Sequence, residues 1–143
     1  MPEIPEIRLA TVADDALLAG MAQLMPQLTS APAPGLDLLA EMLGGRNRLV
    51  CAWQDGQMVG MGCLCIFASP SGLHAHIEDV VVDENQRGKG TGEQIVLALI
   101  EAAREQGLHG VSLTCNPRRE AANRLYTRLG FRQWQTNNYW LDL

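Results

Sequence analysis

The sequence is poor in several features that mark whole classes of protein. Only 5% of its 143 residues are aromatic, 11 residues are basic against 16 acidic ones, and the formal net charge is −5. A nucleic-acid-binding domain would normally carry a basic face, so this balance argues against that class. A hydrophobic fraction of 47% and a charged fraction of 19% suggest neither a disordered nor a fibrous chain.

Long apolar runs and paired cysteine motifs are missing as well. No apolar run reaches the roughly 18 residues that span a membrane, and the first residues lack the basic and apolar segments of a signal peptide. No C-x-x-C pair occurs, and we expect buried free thiols at Cys51, Cys63, Cys65 and Cys115. These absences predict a cytoplasmic protein with no membrane or nucleic-acid partner, folded as a single domain over residues 1–143.

The most informative stretch of the chain is residues 76–95. A run of β-forming residues meets three glycines spaced by two, Gly88, Gly90 and Gly92, and a helical pattern starts directly behind them. Glycines let a backbone approach a ligand closely, and the first turn of a helix leaves N–H groups without internal partners. Together with the helix dipole, these groups predict an anion site.

Two common nucleotide motifs do not fit this loop. A Walker A loop would have Ser or Thr after the lysine, whereas Lys89 is followed by Gly90. The dinucleotide pattern would have a third glycine where Glu93 stands. A turn without a ligand is the alternative, but the glycines and the neighbouring cations of Arg87 and Lys89 favour a pyrophosphate site.

Hydrophobic periodicity and turn residues predict the remaining elements. The strands are expected at residues 7–11, 48–53, 58–68, 74–83, 111–115, 131–135 and 138–143, and the helices after Asp14 or Asp15, at 36–45, from the glycine loop to Gly107, and at 121–130. The strand at 111–115 follows a crossover helix and should run parallel to the strand at 74–83. Strict alternation would place His74, His76, Glu78, Val80 and Val82 on one face, and Asp79, Val81 and Asp83 on the other.

Two segments of the sequence resemble the GNAT superfamily of acetyl-CoA-dependent N-acetyltransferases. V-V-V-D-E-N-Q-R-G-K-G-T-G is similar to its central motif, in which Q/R-x-x-G-x-G/A matches Arg87, Gly90 and Gly92. A-N-R-L-Y-T-R-L-G-F, residues 122–131, matches a later A-x-x-L-Y-x-x-x-G-F motif. The resemblance is strong over residues 77–131 and extends to the first third only in element order. It implies an α/β fold with a mixed, mostly antiparallel sheet of about seven strands and about four helices.

The resemblance also implies a site for acetyl-CoA as cosubstrate. Backbone N–H groups of residues 88–92 would hold the pyrophosphate, and the pantetheine arm would pair with the backbone of Val80 and Val82 where the strands at 74–83 and 111–115 splay apart. The predicted cofactor-binding residues are Val80, Val81, Val82, Arg87, Gly88, Lys89, Gly90, Thr91, Gly92, Asn116, Arg119 and Asn123. Asn116 could equally cap the next helix, and Arg118 and Arg119 are either solvated or contacts to a 3′-phosphate or an anionic substrate.

The predicted catalytic residues are Tyr126, Glu78 and Asp79. The second motif implies that Tyr126 donates a proton to the leaving thiolate, although a core tyrosine is the plain alternative. For the general base, H-I-E-D-V-V-V is similar to the glucosamine-6-phosphate N-acetyltransferases of the superfamily, in which adjacent Glu and Asp lie at the active site. Glu78 is favoured over Asp79 and His76, and only one of the two carboxylates should face the cleft unless a bulge intervenes.

The expected activity is acetyl transfer from acetyl-CoA to the primary amine of a small molecule by direct attack. Alternatives are a protein N-terminal or lysine acetyltransferase, and an acyl-CoA sensor without turnover. No metal is expected, because His74-x-His76-x-Glu78 lacks a fourth ligand. The last strands, with Tyr139 and Trp140, are candidates for pairing in a homodimer.

Overall fold

An antiparallel sheet of four strands, in the order β1-β2-β3-β4, organises the first part of the chain. The computed structural model describes residues 3–143, which fall into two units, the first ending at Leu113 and the second covering Thr114–Leu143. The first unit contains β1 (Glu6–Leu9), α1 (Asp15–Leu24), α2 (Leu36–Gly44), β2 (Arg48–Gln54), β3 (Gln57–Ser69), β4 (Gly72–Val82) and α3 (Thr91–Glu105), with 3₁₀ turns at Met25–Gln27 and Glu84–Gln86. The second unit contains α4 (Glu120–Arg128).

Local sequence signals account for the element boundaries of the first unit. Asp55 and Gly56, at φ of 51° and 75°, form the left-handed two-residue turn that joins β2 to β3, as an Asp-Gly pair predicts. The carboxylate of Asp14 accepts a hydrogen bond of 2.9 Å from the Leu17 N–H and starts α1. The predicted β2–β3 hairpin and the predicted start of α1 are therefore confirmed.

Helices cover the sheet on its two faces. On one face, α1 and α2 bury Met21, Leu24 and Leu39 against Met61 and Cys63 of β3. On the other face α3 approaches so closely that a Cβ atom added at Gly62 would lie 2.9 Å from both Ile95 and Leu99. The missing side chain at Gly62 therefore fixes the distance of α3 from the sheet. No helix within residues 3–143 is long and apolar enough to cross a bilayer.

The prediction of about seven strands is wrong, whereas the four predicted helices are present. Residues 111–115 make a single parallel bridge, in which Ser112 bonds the backbone of Ala75 at 3.0 Å and of Ile77 at 2.8 Å. Residues 131–135 and 138–143 form no strand, and Trp134, Tyr139 and Trp140 are exposed. Alternating apolar residues do not form a strand unless a neighbour pairs their backbone groups.

Candidate active site

The glycine loop links β4 to α3 through left-handed backbone. Gly88 and Gly90 have φ values of 78° and 83°, a region that L side chains rarely adopt. A Cβ atom added at either residue would meet no protein atom within 4 Å. The requirement for glycine is therefore conformational, and the space beside the loop is open to a ligand.

The first turn of α3 presents polar groups that the protein itself does not satisfy. Its first intrahelical bond runs from the Gln94 N–H to the Gly90 carbonyl at 3.1 Å, so the N–H groups of Thr91 and Gly92 have no acceptor within the helix. Thr91 is only 4% exposed, and its buried Oγ1 has no hydrogen-bond partner. These orphaned donors and the positive end of the helix dipole fit a phosphate.

Side-chain bonds hold the loop on both sides. Arg87 Nε donates to the carbonyl of Val82 at 3.0 Å, and Lys89 Nζ donates to Gln86 Oε1 at 3.1 Å. The Arg87 bond engages one of the backbone groups predicted to pair with pantetheine, so that carbonyl already has a partner. Both cations nevertheless stay at the loop, where they can balance the charge of a phosphate.

A further contact reaches the entry of the glycine loop from another part of the first unit. Gln27, in the 3₁₀ turn after α1, accepts a hydrogen bond of 2.9 Å through Oε1 from the Glu84 N–H. Because Glu84 starts the turn that precedes Arg87, this bond ties α1 to the entry of the glycine loop. Sequence reasoning missed Gln27, since no local pattern links residues 57 positions apart.

A β-bulge in β4 overturns the predicted alternation. Glu78 pairs with Cys63 and Val81 pairs with Met61, so Gly62 lies opposite two residues of β4. Asp79 accommodates the extra residue at φ 54°. Glu78 and Val81 therefore share a face, and the prediction that Val80 and Val82 lie on the face of Glu78 is wrong. The strand turns Val80 towards Ile95 and Leu99 of α3, beside Gly62.

The bulge brings both carboxylates of the Glu-Asp pair near the same thiols. The pKa of Cys63 is raised by its hydrogen bond with Cys65, by burial, and by the charges of Asp79 and Glu78. The hydrogen bond with Cys63, whose Sγ lies 3.7 Å away, lowers the pKa of Cys65, while burial and the charges of the same two carboxylates oppose this shift. The charges of Glu78 and Asp79 thus act on the same pair of thiols, and both residues remain candidates for the general base.

Histidine side chains flank Glu78 on its own face. His76 Nδ1 lies 3.9 Å from Glu78 Oε1, and both side chains are about half exposed. His74 Nε2 is bonded to the hydroxyls of Ser69 and Ser71 at 2.9 Å and 2.8 Å. Across residues 3–143, no group of three or more His, Cys, Asp or Glu side chains is arranged to hold a metal ion.

In the second unit, asparagines organise the start of α4. Asn116 Oδ1 accepts from the Arg118 N–H at 2.9 Å and forms an Asx turn before the helix. The N-cap of α4 is Arg119, which has no side-chain cap bond, so Asn116 does not cap the helix. Asn123 Nδ2 donates to the carbonyls of Asn116 at 3.0 Å and Arg119 at 2.8 Å. Both side chains are therefore already hydrogen-bonded within the turn before α4. The cofactor contacts predicted for Asn116 and Asn123 would have to add to these bonds or replace them.

Tyr126 is the one buried side chain of α4. Its ring packs edge-on against Phe131 at 5.6 Å, where Gly130 ends the helix at φ 96°. Burial raises the pKa of Tyr126, the charge of Cys115 raises it further, and Arg119 opposes both. The phenol therefore keeps its proton at neutral pH, as a proton donor must.

The sequence model of the acetyltransferase (GNAT) family matches residues 18–131. The chain belongs to this family, whose members take the acetyl group from acetyl-CoA, and it is accordingly an acetyltransferase. A relative from Trypanosoma brucei brucei, glucosamine 6-phosphate N-acetyltransferase, is 33% identical over 141 residues, covering 92% of this chain and 93% of the relative.

Two other proteins extend the comparison. The crystal structure of glucosamine-6-phosphate N-acetyltransferase from Arabidopsis thaliana superposes with a TM-score of 0.78 at 25% identity, covering 96% of this chain and 99% of that one. The L-methionine sulfoximine/L-methionine sulfone acetyltransferase of Pseudomonas paraeruginosa is 35% identical over 103 residues, 66% of this chain and 60% of the relative. The similar proteins thus include acetyltransferases named for a sugar and for an amino acid derivative.

Proposed function

We propose that this chain transfers the acetyl group of acetyl-CoA to the primary amine of a small molecule by direct attack. The observation that carries the proposal is that one continuous segment contains both candidate carboxylates and the candidate phosphate site. From the Glu78–Asp79 bulge, the chain runs along β4 into the glycine loop and the open first turn of α3. Carboxylates and an anion site therefore lie at the two ends of one short stretch of backbone.

The cofactor is bound mainly by backbone in this proposal. The N–H groups of residues 88–92 bind the pyrophosphate, supported by the α3 dipole and by the charges of Arg87 and Lys89. The side chain of Val81 lies in the core, so a contact from that residue would have to use its backbone. Acetyl-CoA supplies a thioester carbonyl for attack and a thiolate as leaving group.

Glu78 removes the proton from the acceptor amine, which arrives as an ammonium ion at neutral pH. Its carboxylate is about half exposed, so it can accept a proton directly or through a water molecule. His76 provides a neighbouring group that can pass the proton on. Asp79 is the alternative base, because it follows Glu78 directly and lies in the bulge opposite Gly62.

Tyr126 donates the proton that the leaving thiolate takes up as the carbon–sulfur bond breaks. A phenol is protonated near neutral pH and so has a proton to give at every turnover. Burial raises the pKa of Tyr126, which keeps the phenol protonated but makes it a weaker acid. Direct attack uses no cysteine nucleophile, and Cys51 and Cys63 are poorly suited to that role. Burial raises the pKa of Cys51 to about 12, and the pKa of Cys63 is also raised, so neither forms a thiolate readily.

Release of free thiol from acetyl-CoA tests the proposal. The purified chain would be assayed with glucosamine 6-phosphate, D-glucosamine, L-methionine sulfone and an N-terminal peptide as acceptors, and the product identified by mass spectrometry. We expect amine-dependent thiol release with a small-molecule acceptor. Calorimetric binding of acetyl-CoA without release for any amine would contradict the proposal and favour a sensor, and release with the peptide alone would indicate a protein acetyltransferase.

The exposed end of the chain is proposed to pair with a second copy, in a cytoplasmic homodimer. Trp134, Tyr139 and Trp140 are 74%, 85% and 88% exposed, an unusual state for aromatic side chains. Light scattering after gel filtration checks the pairing. A monomer at all concentrations would contradict it.

A further inference from the structure

A cluster of aromatic and imidazole rings lies next to Glu78, on the same face of the sheet. Cross-strand pairs place Cys65 opposite His76 and Phe67 opposite His74, next to the pair of Cys63 and Glu78. The core under α1 and α2 includes Cys63 and reaches as far as Cys65. Phe67, His74 and His76, here named the aromatic strip, lie beyond it and are not covered by that core.

The rings of the aromatic strip are held in place although they are accessible. The Phe67 ring lies 5.2 Å from that of His74 and 5.3 Å from that of His76, tilted to the first and edge-on to the second. His74 is fixed in turn by the hydroxyls of Ser69 and Ser71. A ring that is already immobile can contact a ligand with little loss of conformational entropy.

The hairpin that carries the aromatic strip holds formal charge of one sign only. No Lys or Arg occurs between Arg48 and Arg87, so the β3–β4 hairpin carries only neutral side chains, histidines and the carboxylates of Glu78 and Asp79. Such a surface attracts an ammonium group. An amino acid carries a carboxylate next to its ammonium group. The hairpin offers no cation to bind that carboxylate, and Glu78 and Asp79 would repel it.

We propose that the aromatic strip binds the body of the acceptor and that this body is a ring without an acidic group beside the amine, as in an amino sugar. The inference rests on the acetyl transfer proposed above. The flat face of a sugar ring, made of C–H groups, packs on Phe67, its hydroxyls bond His74 and His76, and its ammonium points to Glu78 and Asp79. These are contacts for binding and selectivity, and within the strip only His76, through its neighbour Glu78, has a place in proton transfer.

The hairpin offers a matched pair of positions for the test. Phe67 and Leu73 are 46% and 44% exposed and occupy neighbouring register positions, but on opposite faces of the hairpin. Phe67→Ala and Leu73→Ala therefore remove similar exposed apolar surface, and only the first touches the aromatic strip. Steady-state kinetics would be measured with D-glucosamine, glucosamine 6-phosphate and L-methionine sulfone at saturating acetyl-CoA, together with the KM for acetyl-CoA.

We expect the wild type to have a higher kcat/KM for one of the two sugars than for L-methionine sulfone. Phe67→Ala should raise the KM for that sugar about 5–10-fold and leave the KM for acetyl-CoA unchanged. Leu73→Ala should leave both constants within about twofold. Phe67→Leu, with thermal melting of each variant, replaces Phe67→Ala if the latter does not fold.

Three results would overturn the inference. Equal acceptor KM values in the Phe67 and Leu73 variants would show that the rings only stabilise the hairpin. A wild-type preference for L-methionine sulfone would contradict the charge argument while leaving acetyl transfer intact. Absence of turnover with every amine, despite binding of acetyl-CoA, would overturn the proposed function and this inference together.

Discussion

The two units of the chain build their functional groups in different ways. In the first unit the groups are mostly backbone: left-handed glycines, the open turn of α3 and the bulge at Asp79 are held by paired strands and a buried core. In the second unit the group is one side chain, Tyr126, on a helix of 9 residues. Backbone groups are kept through most side-chain substitutions, whereas the function of a single side chain is lost when that side chain is replaced. Cofactor binding and acetyl transfer should therefore respond to different mutations.

The largest effect should come from the second unit. Tyr126→Phe removes the proposed proton donor and keeps the ring against Phe131, so we expect kcat to fall about 10³-fold with acetyl-CoA affinity unchanged. Kinetics and calorimetry on the same preparation check this. An unchanged kcat would remove Tyr126 from the chemistry and leave it as a core residue.

The pH dependence sharpens the same point. Burial raises the pKa of Tyr126 above its ordinary value, which is near 10. Loss of activity by ionisation of the phenol should therefore occur only above about pH 10, since the protonated form is the active donor. A kcat profile of the wild type checks this. A fall centred near neutral pH that disappears in Tyr126→Phe would contradict the assignment.

Removal of the base should have the next largest effect. Glu78→Gln should lower kcat about 10²-fold and abolish the ionisation of the base from the pH profile, because the amide cannot accept the proton. Asp79→Asn is the matched variant, one residue away in the bulge. If Asp79→Asn alters the profile and Glu78→Gln does not, the base is Asp79.

The glycine loop should show a smaller effect confined to binding. Gly90 has φ 83°, so Gly90→Ala strains the loop, and we expect acetyl-CoA affinity to fall about tenfold. Gly92→Ala is the control, because its Cβ atom would lie at an ordinary 3.6 Å from Val82. Calorimetry should find near wild-type affinity for that control. Equal losses in both variants would indicate that the backbone conformation at Gly90 is not the decisive feature.

The smallest effect concerns the contact between α1 and the loop. Gln27→Leu removes the acceptor of the Glu84 N–H bond, but water can replace it at this exposed site. We expect the KM for acetyl-CoA to rise about threefold with kcat unchanged. Gln27→Glu keeps an acceptor oxygen and should restore the wild-type value. A rise of the same size in Gln27→Glu would show that the bond does not position the loop.

Much of the first unit could be predicted because its signals are local. Asp55 and Gly56 specify a turn, Asp14 specifies a helix start, and the glycines specify the loop. The bulge was not predictable from the alternation of β4, since Val80, Val81 and Val82 are alike. The bulge is visible only in the pairing with β3, where Gly62 lies opposite two residues of β4. Residues 131–143 have strand-forming composition without a paired neighbour, which a local pattern cannot reveal.

Backbone recognition of the cofactor pyrophosphate is the central claim, and amide NMR tests it most directly. On titration of the ¹⁵N-labelled chain with acetyl-CoA, the N–H signals of Gly88, Gly90, Thr91 and Gly92 should shift most, because their donors would gain an anionic acceptor. Binding of acetyl-CoA by calorimetry with these signals unmoved would contradict the account.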